Sequence, residues 1–222
     1  MKNNMTNRNT LLWMFACVAV LFFAAGQRDA FASSISETVT IDTSGLPATP
    51  GSEIFFVLTD GSGLGDANNT ATLSAFTFGG GTAGAVDALS STGGVTGDMA
   101  SAISMTDSSF TNVLAQYFTA GSALSFALNL TTNVDPGSTP DQFGFVILDP
   151  GGNPISTSDP TGSNYLALIN IDSSSPSPVS YSGLVTISPQ GTVATPEPAT
   201  LFLLAAGLAA VALFTKRLTT LT

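Results

Sequence analysis

The sequence predicts an all-β domain, a single β-sandwich of jelly-roll type, set between two apolar ends. Three observations predict it. Short runs alternate apolar and polar residues with period two, which places one set of side chains on one face of a strand. Clusters of Gly, Pro, Asn, Asp and Ser separate those runs at short intervals. Two runs, 54–58 (IFFVL) and 143–148 (FGFVIL), are apolar on both faces and read as central, buried strands.

Along the chain, Val39 and Ile41 face one way in 35–43 while Thr38, Thr40 and Asp42 face the other. Leu124, Phe126, Leu128 and Leu130 share one face of 123–130, and Tyr165, Ala167, Ile169 and Ile171 share one face of 165–171. Further strands are expected at 71–78, 113–118, 179–182 and 184–188, about nine in all, which suits a sandwich. A helix is credible only around 110–117. Residues 79–107 are rich in Gly, Ser and Thr and poor in large apolar groups, so long loops with one weak strand are expected there. The sandwich is assigned to 33–188, followed by a short stalk, 189–194.

The charge distribution removes whole classes of function. Residues 33–195 hold thirteen carboxylates, and all five basic residues (Lys2, Arg8, Arg28, Lys216, Arg217) lie outside that stretch. Nucleic acid is excluded as a partner, because neutralising phosphates requires Lys or Arg. The chain has no His, and its one Cys, Cys17, sits in the first apolar stretch. Disulfides, His/Cys zinc sites and Ser–His or Cys–His catalysis are therefore not expected in the domain. The protein is expected not to be an enzyme. A glycosidase using two carboxylates is the one scheme for which parts exist, and no spacing singles out a pair.

Acidic, Gly-rich loops supply the oxygen ligands that calcium takes. The candidate loop is Asp60-Gly61-Ser62-Gly63-Leu64-Gly65-Asp66, with Asn68 just beyond, so Asp60, Asp66 and Asn68 are the expected ligands of any calcium site. The same residues also suit plain turn chemistry. No other cofactor is expected. Phe56-Val57-Leu58-Thr59-Asp60-Gly61 is echoed by Phe145-Val146-Ile147-Leu148-Asp149-Pro150-Gly151, which suggests two acidic loops at one end of the sandwich.

The first end, 1–32, has the form of a secretory signal peptide. Lys2 and Arg8 precede an apolar run, Leu11 to Ala25, and Ala30-Phe31-Ala32 forms a small-x-small site. Signal peptidase is expected to cut between Ala32 and Ser33. An uncleaved membrane anchor is the alternative.

The second end reads Thr195-Pro196-Glu197-Pro198, then an apolar run over 199–215, then Lys216-Arg217 and a tail, 218–222. As a helix, the run spans ~26 Å, at the short limit for a ~30 Å hydrocarbon core. Pro196 and Pro198 mark where a helix begins. Lys216 and Arg217 act as a stop-transfer pair and favour a cytoplasmic C-terminus, with the domain on the outer side.

The order of these features resembles the PEP-CTERM sorting domain of Gram-negative bacteria. That resemblance implies recognition by an exosortase, an integral-membrane cysteine protease/transpeptidase, and cleavage near Thr195–Pro198. It implies an inner-membrane-anchored precursor and a product at the cell surface or in the extracellular exopolysaccharide matrix. The basic cluster here is only two residues long. The strings Thr40-Ile41-Asp42-Thr43, Asn69-Thr70-Ala71-Thr72-Leu73, Thr106-Asp107-Ser108-Ser109-Phe110 and Ser125-Phe126-Ala127-Leu128-Asn129-Leu130 are similar to a group of uncharacterised PEP-CTERM proteins. The expected role is structural or adhesive and non-catalytic, at the surface or in the matrix. The alternatives are a carbohydrate-binding module for exopolysaccharide, with Tyr117, Tyr165 and Tyr181 as the available rings, and a two-carboxylate glycoside hydrolase.

Overall fold

A computed structural model describes residues 33–63, 65–135 and 139–190. The expected signal helix, the stalk from 191 onward and the expected transmembrane helix lie outside the described residues. Among the described residues no helix is long and apolar enough to cross a membrane.

Among the described residues, twelve strands form two six-stranded antiparallel sheets. In chain order they are β1 (Ser34–Asp42), β2 (Pro50–Thr59), β3 (Thr70–Thr77), β4 (Thr82–Val86), β5 (Gly94–Gly97), β6 (Ile103–Thr106), β7 (Thr111–Thr119), β8 (Ala123–Thr131), β9 (Asp141–Leu148), β10 (Ala167–Ile171), β11 (Val179–Ser180) and β12 (Val185–Pro189). The first sheet has the order β12-β1-β8-β3-β6-β5 and the second β11-β10-β9-β2-β7-β4.

The alternation in the sequence becomes the core. Leu124, Phe126, Leu128 and Leu130 of β8 are buried, as are Val39 and Ile41 of the neighbouring β1. Their outward neighbours pair through hydroxyls, with Thr40 and Ser125 oxygens 2.8 Å apart. Ile54, Phe56 and Leu58 of β2 face the core together with Phe143, Phe145 and Ile147 of β9. Ring contacts tie the two sheets: Phe56 and Phe145 of the second sheet meet Phe126 of the first edge-on, at 5.4 and 5.8 Å. Edge-on geometry places the positive ring edge against the negative face, worth about 0.5–1.5 kcal/mol per pair beyond the area buried.

β3 carries a bulge between Ser74 and Thr77, where Ala75 adopts φ 53°. The extra residue switches the buried face from Ala71 and Leu73 to Phe76, which packs 5.5 Å from Phe126. A bulge does this because side-chain direction has period two along a strand.

The structure departs from sequence expectation in two places. Residues 79–107 contain three strands, β4, β5 and β6, rather than loops with one weak strand. Residues 111–119 form β7, bonded to β2 and β4, with no helix. At the end of the domain, β12 reaches Pro189 alongside β1, and the Gln190 amide donates to Ser36 O at 2.8 Å.

Candidate functional site

Antiparallel topology brings five strand ends to one pole of the domain. β2 ends beside the start of β9, with Thr59 opposite Gln142. β3 begins beside the end of β6, with Thr70 opposite Thr106. β8 ends beside the start of β3, with Leu130 opposite Ala71. The residues at or just beyond these ends are Asp60, Asn69, Asp107, Asn133, Asp135 and Asp141.

These residues form a buried polar node. Asp60, Asn69 and Asp107 are fully buried, and Asp141 is 3% exposed. One oxygen each from Asp60, Asp135 and Asp141 lies within 4.8 Å of the others. Asn69 is the hub. Its side-chain amide donates to Asp141 Oδ2 at 2.7 Å and to Asn133 O at 2.8 Å, and its backbone amide meets both oxygens of Asp107 at 3.1 and 3.0 Å. Its side-chain Oδ1 accepts from the Asn133 backbone amide at 2.8 Å.

Asp60 organises its own loop. Its Oδ1 accepts from the Ser62 amide and hydroxyl, both at 2.7 Å, and from the Gly63 amide at 3.0 Å, while Oδ2 accepts from the Gly65 amide. These donors hold the Asp60 carboxyl below its ordinary range despite its burial. The Gly61 amide reaches across to Asp141 Oδ1 at 2.7 Å. That approach requires glycine, because a Cβ at position 61 would lie 2.0 Å from Thr139 O and 2.4 Å from Pro140 O.

No basic residue occurs between Arg28 and Lys216, so the node has no internal counter-ion. Burial, the hydrogen-bonding neighbour Asp141 and the charges of Asp141 and Asp66 push the Asp107 carboxyl up to about 7. Burial and the charge of Asp66 also raise Asp135. Facing carboxylates in a dry site relieve repulsion by holding a proton or by binding a cation.

Sequence reasoning grouped Asp60 with Asp66 and Asn68. The structure brings Asp60 together with Asp135 and Asp141 and places the other two at the rim, where the Asn68 side-chain amide bridges Asp66 and Asp135. Asp107, Asp135, Asp141 and Asn69 were missed as a group, because they come from separate segments and only strand pairing unites them. The echo between Asp60 and Asp149 does not put their loops at one end. β2 and β9 run antiparallel, with Glu53 opposite Leu148, so Asp149 falls at the opposite pole from Asp60.

That opposite pole carries a cleft of about 320 Å³ lined by Asp42, Leu46, Pro47, Asp149, Pro154 and Leu184. Asp42 accepts from the Ser44 hydroxyl at 2.6 Å, and Asp149 accepts from the Gly151 and Asn153 amides at 2.8 and 2.9 Å. Both carboxyls are lowered by these turn bonds.

Fold and node together define a class: an all-β, two-sheet domain without basic residues, cross-tied at one pole by buried carboxylates. What kind of protein carries it follows from the C-terminal end. The family model for the PEP-CTERM protein-sorting motif matches residues 194–217. The matched span contains Thr195, Pro196, Glu197 and Pro198 as well as Lys216 and Arg217. The chain therefore carries a PEP-CTERM sorting motif, which implies an exported protein processed by an exosortase. No curated protein and no solved structure matches the chain. Ala30, Ala32 and all of the sorting residues lie outside the described residues. Ser33 is described, and its hydroxyl donates to Ser174 O at 2.6 Å.

Proposed function

We propose that the protein is a non-catalytic structural or adhesive component of the cell surface or extracellular matrix, made as a membrane-anchored precursor and sorted through its C-terminal segment. The matched motif at 194–217 carries this reading. The strand orders β1-β8-β3-β6 and β2-β7-β4, nested in two facing sheets, support a jelly-roll architecture. The absence of His and of basic residues from 33–190 supports a non-catalytic role. Two-carboxylate glycoside hydrolysis needs one acid held protonated and one ionised. Asp42 and Asp149 in the cleft are both biased towards the ionised form.

The test is retention of the processed protein on its host's exopolysaccharide, with reducing ends assayed over time. Retention without new reducing ends is expected. Release of reducing ends that is abolished by Asp42→Asn or Asp149→Asn would make the protein a hydrolase.

A divalent cation at the buried node is a second reading, favoured by the three carboxylate oxygens within 4.8 Å in a region without basic residues. Asp60, Asp135 and Asp141 would hold it, and calcium suits an all-oxygen set on loops. It would supply charge compensation and lock the five strand ends together. Calorimetry with calcium should then show one site that Asp141→Asn removes and Asp149→Asn keeps. No binding, or equal binding by both variants, would leave the node held by protons alone.

A further inference from the structure

The outer face of the second sheet carries a polar group that neither the sorting segment nor the buried node uses. Strand register sets Leu148 of β9, Glu53 of β2 and Tyr117 of β7 in one row. Directly opposed residues on neighbouring strands share a face, so these three side chains stand together. The next strand, β4, approaches this row closely. A Cβ on Gly84 would lie 2.8 Å from Tyr117 O, and the Gln116 side-chain amide donates to Gly84 O at 2.9 Å. β4 leads directly into Asp87, whose backbone amide donates to Ala115 O at 2.9 Å. The Asp87 carboxylate is pinned by its own turn, accepting from the Leu89 amide at 2.9 Å and the Ser90 hydroxyl at 2.7 Å. Burial first, and then the nearby Asp87 charge, raise the Glu53 carboxyl, while the Ser90 and Leu89 donors, with a smaller part from the Tyr117 hydroxyl, lower Asp87.

Two features set this row apart. Glu53 is only 8% exposed, and its Oε1 has no hydrogen-bond partner. A buried acceptor without a donor is destabilising. A proton shared between Glu53 and Asp87 would still leave that oxygen without a donor. The rim, in contrast, is apolar and open: Tyr117 is 39% and Leu89 98% exposed. A leucine wholly in solvent beside a carboxyl pair and an exposed ring is a surface arranged for contact.

The matching ligand must bring hydrogen-bond donors, positive charge and a flat apolar face. The domain supplies no cationic side chain of its own, since 33–190 holds no Lys, Arg or His. A second copy of the domain is equally without one. Anionic sugars are repelled. A sugar ring with a free amine meets each requirement: its C–H face stacks on Tyr117, and its ammonium meets the carboxyls beside the ring.

We propose that Glu53, Asp87 and Tyr117 form a binding site for an amine-bearing sugar residue of a polysaccharide. The proposal rests on the surface-protein reading above and names the chemistry that such a protein would hold.

The test is calorimetry on the protein isolated from its cells, at mildly acidic pH, with a glucosamine oligosaccharide and its N-acetylated counterpart as probes. The amine form should bind about tenfold or more tightly than the acetylated form, a difference of about 1.4 kcal/mol. Tyr117→Ala and Asp87→Asn should each weaken binding about tenfold, Tyr117→Phe should retain it, and Asp172→Asn, at an exposed aspartate, should leave it unchanged. Equal weakening by Asp172→Asn would mean diffuse charge attraction and overturn the site. Equal binding of the acetylated oligomer, or undiminished binding by Tyr117→Ala, would overturn it as well. An uncut sorting tail in exosortase-bearing cells would remove the surface reading while leaving these affinities untouched, so the two failures are distinguishable.

Discussion

The two poles of the domain use the same residue in opposite ways. At the pole of Asp42 and Asp149, each aspartate serves its own turn: its acceptors are filled by amides or hydroxyls two to four residues ahead, and its carboxyl is lowered. At the other pole, carboxylates from separate segments face one another, and Asp107 and Asp135 are raised. Local donors make an aspartate self-sufficient. Long-range contacts make it dependent on a proton, on a cation or on Asn69. Asp60 belongs to both kinds, with its own turn donors inside the shared node. The first pole is thus a set of independent turns, and the second is one cooperative unit holding both sheets.

Substitutions should separate the poles by size of effect. The largest loss is expected for Gly61→Ala, because the new Cβ would collide with backbone oxygens of Thr139 and Pro140. A fixed backbone has no way to yield cheaply, so about 2–4 kcal/mol should disappear from urea unfolding. A loss below about 0.5 kcal/mol would mean that the two loops are not in contact.

Asn69→Ala comes next. It removes the donor on Asp141 and the acceptor for Asn133 from a fully buried site. A hydrogen bond to a charged group is worth about 1.5–3 kcal/mol, and a loss of that order is expected. Asp149→Ala should cost less than either, with an effect confined to its own turn. Additivity of Asp149→Ala with Asn69→Ala would confirm independent poles, whereas strong coupling would break the contrast.

The pH dependence should also differ in sign. Asp107 holds its proton more tightly when folded than unfolded, so its contribution is fully present only below the ordinary aspartate range. That contribution is lost as pH rises through about 7. In protein stripped of divalent ions, stability should therefore decline across that window, and Asp107→Asn should flatten the decline. Asp42 and Asp149 are lowered on folding, so their contribution is present at neutral pH and is lost only as pH falls below the ordinary carboxylate range. Equal unfolding midpoints at pH 5 and pH 8 in the stripped protein would contradict the raised carboxyl.

The smallest effect should come from Phe110→Ser. Phe110 is 60% exposed at the entry to β7, so its removal should shift urea unfolding by no more than about 0.5 kcal/mol.

How much of this was readable in the sequence follows from where each residue's partners lie. The runs 54–58 and 143–148 are apolar on both faces because β2 and β9 pair with each other at the centre of one sheet, and their outward Phe55, Val57 and Val146 are themselves half-buried. β8 was legible from strict alternation. β4 and β5 were not, because they are edge strands whose side chains are largely exposed, so burial imposes no period on them. β7 admitted a helical reading because it also buries Asn112 and Gln116, polar residues that mask alternation. Their amides are spent on Leu58 O and Gly84 O at 3.1 and 2.9 Å. The buried node was invisible for a related reason. Asp60 lies 75 positions from Asp135 and 81 from Asp141 in the chain, and only the register of β2 against β9 unites them. The sorting segment was legible because its logic is local: prolines, an apolar run and a basic pair in sequence order, with no fold needed.

The most direct test of the functional account is the intact mass of the protein from host cells with and without their exosortase. The account predicts a chain that starts at Ser33 and ends near Thr195–Pro198 when the exosortase is present, and a retained tail through Thr222 when it is absent. A tail retained in both strains would contradict sorting and leave a one-helix membrane anchor in its place.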